Sequence, residues 1–333
     1  MKRRWTLLAC LGLAACSGRQ TPLGPAGDQA YAIYDVWTAM MIICGLMYVL
    51  VLGFLAWAIW RRRSNLGLAP ATGHTAAEPA MEKGLVGWSV LVVVGLTVLI
   101  TVSFLVDRKM AEAGPRPLNI KVTANQWWWA IEYEDADPSR TLRTANELHL
   151  PLGRPVHVEL HSNDVIHSFW IPNLAGKEDL IPGRVNSMIM TPRRTGVFRG
   201  QCAEFCGLQH AHMALDVTVQ SPQDYEAWRE AQVQPAIAPT NADLAEGQAL
   251  FLSRACMMCH AIAGTTAGGV VGPDLTHVAS RRSIAAGALA TTQSNLGLWI
   301  SDPTRIKPGT PMPKVKLSGD ELAKITAYLA SLK

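Results

Sequence analysis

Apart from two close pairs, the seven cysteines of the sequence leave no pair for a structural disulfide. Cys10 lies in an apolar N-terminal stretch, Cys16 follows two alanines, and Cys44 lies in a long apolar run. The other four stand in two close pairs, each followed by a histidine. Small secreted domains that depend on disulfides are therefore excluded, and the two pairs need another explanation.

Charged residues are also scarce in this chain. Only 17% of its 333 residues are charged, the formal net charge is +4, and 49% of the residues are hydrophobic. So small a net charge gives no electrostatic reason to expect nucleic-acid binding. The chain is long for one domain, and its apolar composition predicts membrane segments beside soluble domains.

Residues 1–15 are typical of a bacterial signal peptide. Lys2, Arg3 and Arg4 precede an apolar run over residues 5–15, which is too short to cross a bilayer. Residues 13–16, Leu-Ala-Ala-Cys, resemble a lipobox, so we expect Cys16 to begin the mature chain and to carry lipid. An ordinary leader cleaved nearby is the alternative.

Two long runs without charge follow, at about residues 36–60 and 84–106. Each exceeds the roughly 20 residues that cross about 30 Å of hydrocarbon as a helix. Within residues 16–110 we therefore predict a two-helix transmembrane hairpin rather than a buried soluble helical pair. Arg61, Arg62, Arg63 and Lys83 lie in the connection, which the positive-inside rule assigns to the cytoplasm. Both ends of the hairpin then face outward.

Residues 111–222 predict an all-β domain. Short segments rich in β-branched and aromatic residues, such as residues 118–133 and 155–162, are separated by Pro, Gly, Asn and Asp. This spacing is typical of an antiparallel sandwich. Residues 223–240 hold a short amphipathic piece and then a linker rich in Pro and Ala, and a second soluble domain follows over residues 241–333.

The most informative stretch is CAEFCGLQHAHM, residues 202–213. It contains two thiols, Cys202 and Cys206, then the imidazole of His210 and the thioether of Met213. Soft sulfur ligands with imidazole indicate copper, zinc or an iron-sulfur cluster rather than calcium or magnesium. Met213 favours copper, because thioether is a familiar weak ligand in copper electron-transfer sites. His167, upstream in DVIHSFW, supplies a second imidazole.

Two simpler explanations of this stretch remain open. Cys202 and Cys206 could form a disulfide in an oxidising compartment, but the neighbouring histidines and Met213 would then have no role. A zinc site with two Cys and two His ligands would also leave Met213 unexplained. His212 is interpreted as a surface or packing residue.

A second motif, CMMCH, spans residues 256–260. Cys256, Cys259 and His260 have the spacing of c-type haem attachment, with the histidine as an axial ligand. A thioredoxin-like pair or half of a zinc site is the alternative, but the adjacent His260 and the lack of a second C-x-x-C disfavour both. Met312, in KPGTPMP, is the predicted second axial ligand, and His277 is expected to be an ordinary polar residue.

These residues resemble those of two known families. Residues 202–213 match C-x-E-x-C-G-x-x-H-x-x-M, the binuclear copper (CuA) loop of cytochrome c oxidase subunit II, and DVIHSFW, KEDLIPGRVN and QWWWAIEY match further motifs of that family. The resemblance implies a multidomain membrane protein with a cupredoxin-like all-β Greek-key domain. The copper ligands that it implies are His167, Cys202, Cys206, His210, Met213 and the backbone carbonyl of Glu204. It also implies that the Glu204 side chain binds magnesium shared with the catalytic subunit, and that electrons enter at Trp127.

The C-terminal part resembles class I cytochrome c, an all-α domain. In that family the proline of GPDL, here Pro273, orients the proximal histidine through its carbonyl. Together the two resemblances imply a subunit II with a fused cytochrome c domain. Its expected cofactors are CuA and haem c, with magnesium at the subunit interface.

The resulting functional prediction is an electron-transfer subunit of a terminal haem-copper cytochrome c oxidase. Electrons would pass from haem c to CuA and then to catalytic subunit I, where oxygen is reduced. A soluble or membrane-bound donor such as cytochrome c would supply them. The expected location is the bacterial inner membrane, with both soluble domains on the periplasmic or outer side. The alternatives are the CuA subunit of a nitric oxide reductase and a stand-alone lipid-anchored electron carrier; a quinol oxidase subunit is disfavoured, because that branch lacks these copper ligands.

Overall fold

The computed structural model of this protein describes residues 18–64, 78–110 and 117–333. The predicted signal peptide and the lipidation of Cys16 lie outside these residues.

Two long helices form the N-terminal part of the described chain: α1 (Asp28–Ser64) and α2 (Glu78–Met110). Both are longer than the charge-free runs they contain, because helix continues through the flanking polar residues. Their apolar side chains are largely exposed, among them Leu46, Phe54 and Ile100. Each helix has the length and hydropathy of a membrane span, over Asp28–Arg63 and Met81–Arg108.

A two-sheet sandwich follows the helices. Its strands are β1 (Leu118–Asn125), β2 (Trp128–Tyr133), β3 (Leu142–Ala145), β4 (Glu147–Pro151), β5 (Val156–Ser162), β6 (His167–Trp170), β7 (Lys177–Leu180), β8 (Asn186–Met190), β9 (Gly196–Cys202) and β10 (Ala214–Gln220). One sheet has the order β3-β2-β1-β5-β8 and the other the order β4-β10-β9-β6-β7. Alternate residues point into the core, as the period of two predicts.

The sandwich is not purely antiparallel, and that expectation was wrong. Strands β1 and β5 pair in parallel, as do β4 and β10. In a Greek-key arrangement the chain crosses between sheets, so a strand can lie beside one that is distant in sequence and runs the same way. Alternation within a strand carries no information about the direction of its neighbour.

The last part of the chain is mainly helical. It contains α3 (Pro222–Gln232), α4 (Ala242–Ser253), α5 (Cys256–Cys259), the short hairpin strands β11 (Ser283–Ile284) and β12 (Leu289–Ala290), then α6 (Gln293–Ser301), α7 (Pro303–Ile306) and α8 (Gly319–Ser331). Ser318 and Glu321 form a capping box at the start of α8. The core here includes Phe251, Ile325 and Tyr328.

The linker residues pack on this helical domain. Ala236 donates its backbone N–H to the carbonyl of Ala263 at 3.0 Å. The two ring nitrogens of His277 lie 3.0 Å from the carbonyl of Gln234 and 2.9 Å from that of Lys333. His277 thus occupies a packing position between the linker and the C-terminus, as expected for an ordinary polar residue.

Candidate metal and haem centres

The predicted copper ligands come from the ends of two paired strands and the loop between β9 and β10. His167 begins β6 and Cys202 ends β9, and the two strands are neighbours with Phe169 opposite Cys202. The Cys202 amide donates to the carbonyl of Met213 at 2.9 Å, which closes the base of the loop. The sandwich therefore holds both ends of the site on rigid strands.

The ligand atoms converge. Cys202 Sγ lies 3.7 Å from Cys206 Sγ and 3.8 Å from His167 Nδ1. Cys206 Sγ lies 3.7 Å from His210 Nδ1 and 3.9 Å from Met213 Sδ. The carbonyl oxygen of Glu204 lies 3.2 Å from Cys202 Sγ. Each thiol thus has one imidazole beside it, with the thioether on one side of the pair and the carbonyl on the other.

This arrangement fits a copper pair better than the simpler explanations. The Sγ atoms are 3.7 Å apart, far beyond the roughly 2.0 Å of a disulfide. Cys202, Cys206, Met213 and His167 are buried, so the donor set is soft and shielded from water. A zinc site would use the thiols and imidazoles but would give the buried Met213 sulfur no role.

Hydrogen bonding makes the two thiols unequal. The hydrogen bond with Cys206 lowers the pKa of the Cys202 thiol, against the effect of burial and with help from His167. The same bond, together with burial, raises the pKa of the Cys206 thiol. Burial alone would lower the pKa of His167, but Cys202 and Asp164 raise it. Metal binding would therefore release protons from this cluster.

Asp164 orients the His167 ring. Its carboxylate lies 2.8 Å from His167 Nε2, so that nitrogen donates to Asp164 and Nδ1 faces the sulfur atoms. The same carboxylate accepts the backbone N–H of Gln126 at 2.6 Å. A carboxylate behind a ligating histidine is the usual way of fixing its tautomer.

Trp127 lies directly against the copper loop. Its Nε1 donates to the carbonyl of Cys206 at 2.8 Å, and the neighbouring Gln126 side chain donates to the same oxygen at 2.8 Å. Trp127 is buried, with 7% of its surface exposed. The indole is thus joined to a thiol-bearing residue by one hydrogen bond.

The haem attachment motif lies on helix α5. Cys256 and Cys259 are half-buried at its two ends, and His260 follows directly. His260 Nδ1 lies 2.7 Å from the carbonyl of Pro273, so this nitrogen donates and Nε2 keeps its lone pair for a metal. Burial lowers the pKa of His260, which favours the neutral ring that binds iron.

Two glycines make room around the attachment motif. A Cβ at Gly272 would lie 2.7 Å from the His260 ring, and a Cβ at Gly269 would lie 2.5 Å from the backbone of Cys259. The chain can approach the motif this closely only without side chains there. The two thiols and the oriented imidazole fit covalent attachment of haem.

Met312 lies between α7 and α8 and is half-buried. Its role as second axial ligand remains a prediction. Sequence reasoning missed Lys307 in the same segment, whose buried ammonium contacts the copper domain. A single lysine before a proline carries no signal of burial, so no sequence pattern could have found it.

Comparisons with known proteins agree with both centres. The family model for the cytochrome c oxidase subunit II periplasmic domain matches residues 135–220, and the cytochrome c model matches residues 244–333. Cytochrome c oxidase subunit 2 of Alkalihalophilus pseudofirmus is 35% identical over 97% of this chain and 94% of its own length. That of Bacillus subtilis is 29% identical over 100% of this chain and 99% of its own.

A solved structure is also similar. The periplasmic domain of subunit II of the cytochrome oxidase of Bradyrhizobium japonicum is 30% identical, covering 37% of this chain and 96% of its own, with a TM-score of 0.33. The predicted resemblance is confirmed by the full-length relatives: the chain belongs to the cytochrome c oxidase subunit II family and carries a cytochrome c domain at its C-terminus.

Proposed function

We propose that this oxidase subunit relays single electrons from a covalently attached haem c to a binuclear copper centre and on to catalytic subunit I. The single observation that carries the proposal is the arrangement of two imidazoles and a thioether around one pair of buried thiols, with one imidazole beside each sulfur. When bound, the copper pair and the haem supply reversible one-electron chemistry.

The residues of the copper domain have distinct tasks in this relay. His167, Cys202, Cys206, His210, Met213 and the Glu204 carbonyl hold the copper pair. Asp164 fixes the His167 ring, and the two strands fix the loop, so the ligands move little when the charge of the site changes. Trp127, bonded to the Cys206 carbonyl, is the proposed path into the site.

In the haem domain, Cys256 and Cys259 form the covalent links. His260 and Met312 are the proposed axial ligands, a pairing that gives a high reduction potential. Pro273 holds His260 in the orientation that leaves Nε2 available. A high potential suits a carrier that delivers electrons towards oxygen.

Oxygen reduction belongs to the partner chain. Helices α1 and α2 contain no histidine, so they offer no ligands for a second haem and copper in the membrane. The Glu204 side chain is exposed on the copper loop, where it could be shared with a partner through magnesium. Phe205, beside it, is 75% exposed, and an exposed aromatic residue suits a surface that docks on subunit I.

The donor is proposed to be a soluble or membrane-bound cytochrome c, and the location the bacterial inner membrane with both domains on the periplasmic side. Co-purification tests the assignment as a subunit. The complex should contain a large polytopic haem protein, whereas a stand-alone carrier would purify alone.

Metal and haem analysis of the detergent-solubilised chain tests the relay. We expect two coppers and one covalently bound haem per chain. His167→Ala should abolish copper binding and leave the haem in place, while His157→Ala, a histidine on β5 outside the site, should retain both. Retention of copper by His167→Ala would refute the assigned ligand set.

A further inference from the structure

The haem domain and the copper domain contact each other through specific polar groups. The Ala214 amide, beside the copper loop, donates to the carbonyl of Ala286 at 3.1 Å. Ser283 donates to the Asp216 carboxylate at 2.5 Å, and the Gln209 side chain donates to the carbonyl of Pro308 at 2.9 Å. Both domains belong to one compact unit of the chain. The arrangement of the two domains is therefore fixed by these contacts as well as by the linker.

Lys307 is a deeply buried cation at this interface, in the segment that carries Met312. Only 3% of its surface is exposed. Its ammonium donates to the carbonyls of Trp127 at 2.8 Å, His212 at 3.1 Å and Ala285 at 3.2 Å. An ammonium has three hydrogens, so these three acceptors satisfy it fully. Burial lowers the pKa of Lys307 to about 8, and at neutral pH the amine still keeps its three hydrogens.

The three acceptors come from three separate segments. Trp127 precedes β2, His212 lies in the copper loop, and Ala285 lies in the β11–β12 hairpin of the haem domain. Lys307 itself stands five positions before Met312, the proposed axial ligand. One side chain therefore joins the copper loop, the Trp127 backbone and the segment that carries Met312.

Arg281 is the second buried cation at this interface, on the side of His260. Its guanidinium donates to the carbonyl of Asp274 at 2.5 Å and lies 3.6 Å from the Glu147 carboxylate on β4. Both side chains of this ion pair are buried. Asp274 follows Pro273, whose carbonyl holds His260. Arg281 thus joins the proximal haem loop to the copper domain.

The segment after Lys307 covers the Trp127 ring. A Cβ at Gly309 would lie 3.2 Å from the indole and 3.0 Å from Leu208 of the copper loop. This close approach, with a φ of +86° at the same residue, requires glycine. The indole is therefore in contact with the segment that carries Met312.

An intact buried ion pair adds little stability, but a buried charge that loses its partner is strongly destabilising. A domain on a tether could dock in many ways. In this arrangement Lys307 has three carbonyl acceptors, and Arg281 has the carbonyl of Asp274 and the charge of Glu147. Another docked arrangement would leave these buried charges without those partners. We propose that Lys307 and Arg281 are positioning residues that lock the haem domain onto the copper domain, one through each axial-ligand loop. Electron transfer then occurs over a fixed distance near Trp127 and is not limited by motion of a tethered domain. This inference rests on the proposed relay.

The test is Lys307→Met in the full detergent-solubilised chain loaded with copper and haem, at pH 7. After flash reduction of the haem, the unsubstituted chain should reduce its copper in one phase that does not depend on solvent viscosity. Lys307→Met should slow this step about tenfold and make it depend on viscosity, because docking becomes part of the reaction. Absorption spectra of the copper and haem should be unchanged. Lys316→Met, an exposed lysine of the same segment, is the matched control and should behave as the unsubstituted chain.

Amide hydrogen exchange gives an independent reading of docking. Lys307→Met should increase exchange at residues 207–214 and 283–287, and Arg281→Met should do the same, whereas Arg281→Lys, which keeps the charge, should retain most of the protection. If Lys307→Met does not accumulate, Lys307→Gln carries the same comparison.

The possible outcomes separate this inference from the relay. If Lys307→Met transfers electrons from haem to copper at the unsubstituted rate, without viscosity dependence and with unchanged amide exchange, the positioning role of Lys307 is overturned. If the unsubstituted chain shows no haem-to-copper electron transfer but the amide exchange pattern is as expected, the proposed relay is overturned and the positioning role of Lys307 and Arg281 is supported.

Discussion

At the scale of single residues, the copper site depends on groups that hold the ligands as well as on the ligands. Asp164 uses one carboxylate to orient His167 and to fix the turn at Gln126, next to Trp127. The haem site has the same logic, since the Pro273 carbonyl orients His260 while Gly272 leaves space for its ring. Substitutions beside the ligands should therefore affect the centres.

Asp164→Asn should weaken copper binding while leaving the haem unaffected. The neutral amide accepts from His167 Nε2 more weakly than the carboxylate does and can also present its NH2 group, so the ring is held less firmly in its tautomer. Mutation of such a partner typically costs about 10- to 100-fold in metal affinity. A competitive copper titration measures this. Asp179→Asn on β7 is the control, and equal affinities in the two variants would contradict the role given to Asp164.

Gly272→Ala should disturb the proximal side of the haem. Its Cβ would lie 2.7 Å from the His260 ring, which must then rotate away from the Pro273 carbonyl. We expect a changed haem absorption spectrum or a lowered reduction potential. Gly268→Ala, where a Cβ meets nothing within 4 Å, should leave both unchanged. An unaltered spectrum and potential in Gly272→Ala would show that the ring has room to spare.

At the scale of elements, the strands and the ligand motifs could be predicted from sequence because each has a local signature. Alternation marks β1 and β5, the charge-free runs mark α1 and α2, and the capping box at Ser318 marks the start of α8. The parallel pairing of β4 with β10 could not be predicted, because it depends on which distant strand lies alongside.

Helix α4 illustrates packing that sequence reasoning also missed. A Cβ at Gly247 would lie 2.2 Å from the carbonyl of Lys324 on α8, so the two helices meet backbone to backbone. From sequence alone, a glycine inside a helix is expected to lower helix stability, but here it permits the close contact between the two helices.

Gly247→Ala should destabilise the haem domain by about 1–3 kcal/mol, because α4 and α8 must move apart. Gly297→Ala, in α6, meets only ordinary contacts at 3.6 Å and should be neutral or slightly stabilising. Denaturant unfolding followed at the haem measures both. Equal midpoints would mean that the helices can separate without cost.

At the scale of the whole molecule, the two soluble domains pack into one compact unit, and this was the least predictable feature. Composition marked residues 223–240 as a linker, but Gln234 and Ala236 are bound to the haem domain. The interface joins single residues from distant segments, such as Lys307 with Trp127 and Arg281 with Glu147. No local sequence pattern therefore predicts it.

Acid should weaken this interface. Burial would raise the pKa of Glu147, but nearby His149, whose Nε2 lies 3.7 Å from the carboxylate, the charge of Arg281 and a hydrogen bond from Thr144 outweigh it and lower the pKa. Asp216 lies opposite Glu147 on β10. A carboxyl with a lowered pKa stabilises the fold above its unfolded pKa, about 4.3, and this stability is lost as pH falls through the lowered value. Amide exchange at residues 283–287 should therefore rise below about pH 4.

Glu147→Gln should raise that exchange already at pH 7 and cost about 3 kcal/mol of docking free energy, because buried Arg281 loses the larger of its two counter-charges and keeps only that of Asp274. It should also flatten the acid dependence. An unchanged pH profile in this variant would assign the acid effect to another carboxyl.

The order in which the two centres take up electrons tests the central claim most directly. Reduced cytochrome c, added in less than stoichiometric amount to the anaerobic full chain, can be followed at the haem and copper absorption bands. The relay predicts that the haem is reduced first and the copper next, that Cys206→Ser leaves the electron on the haem, and that Cys256→Ala/Cys259→Ala greatly slows copper reduction. Copper reduction that precedes the haem, or that is equally fast without it, would contradict the relay.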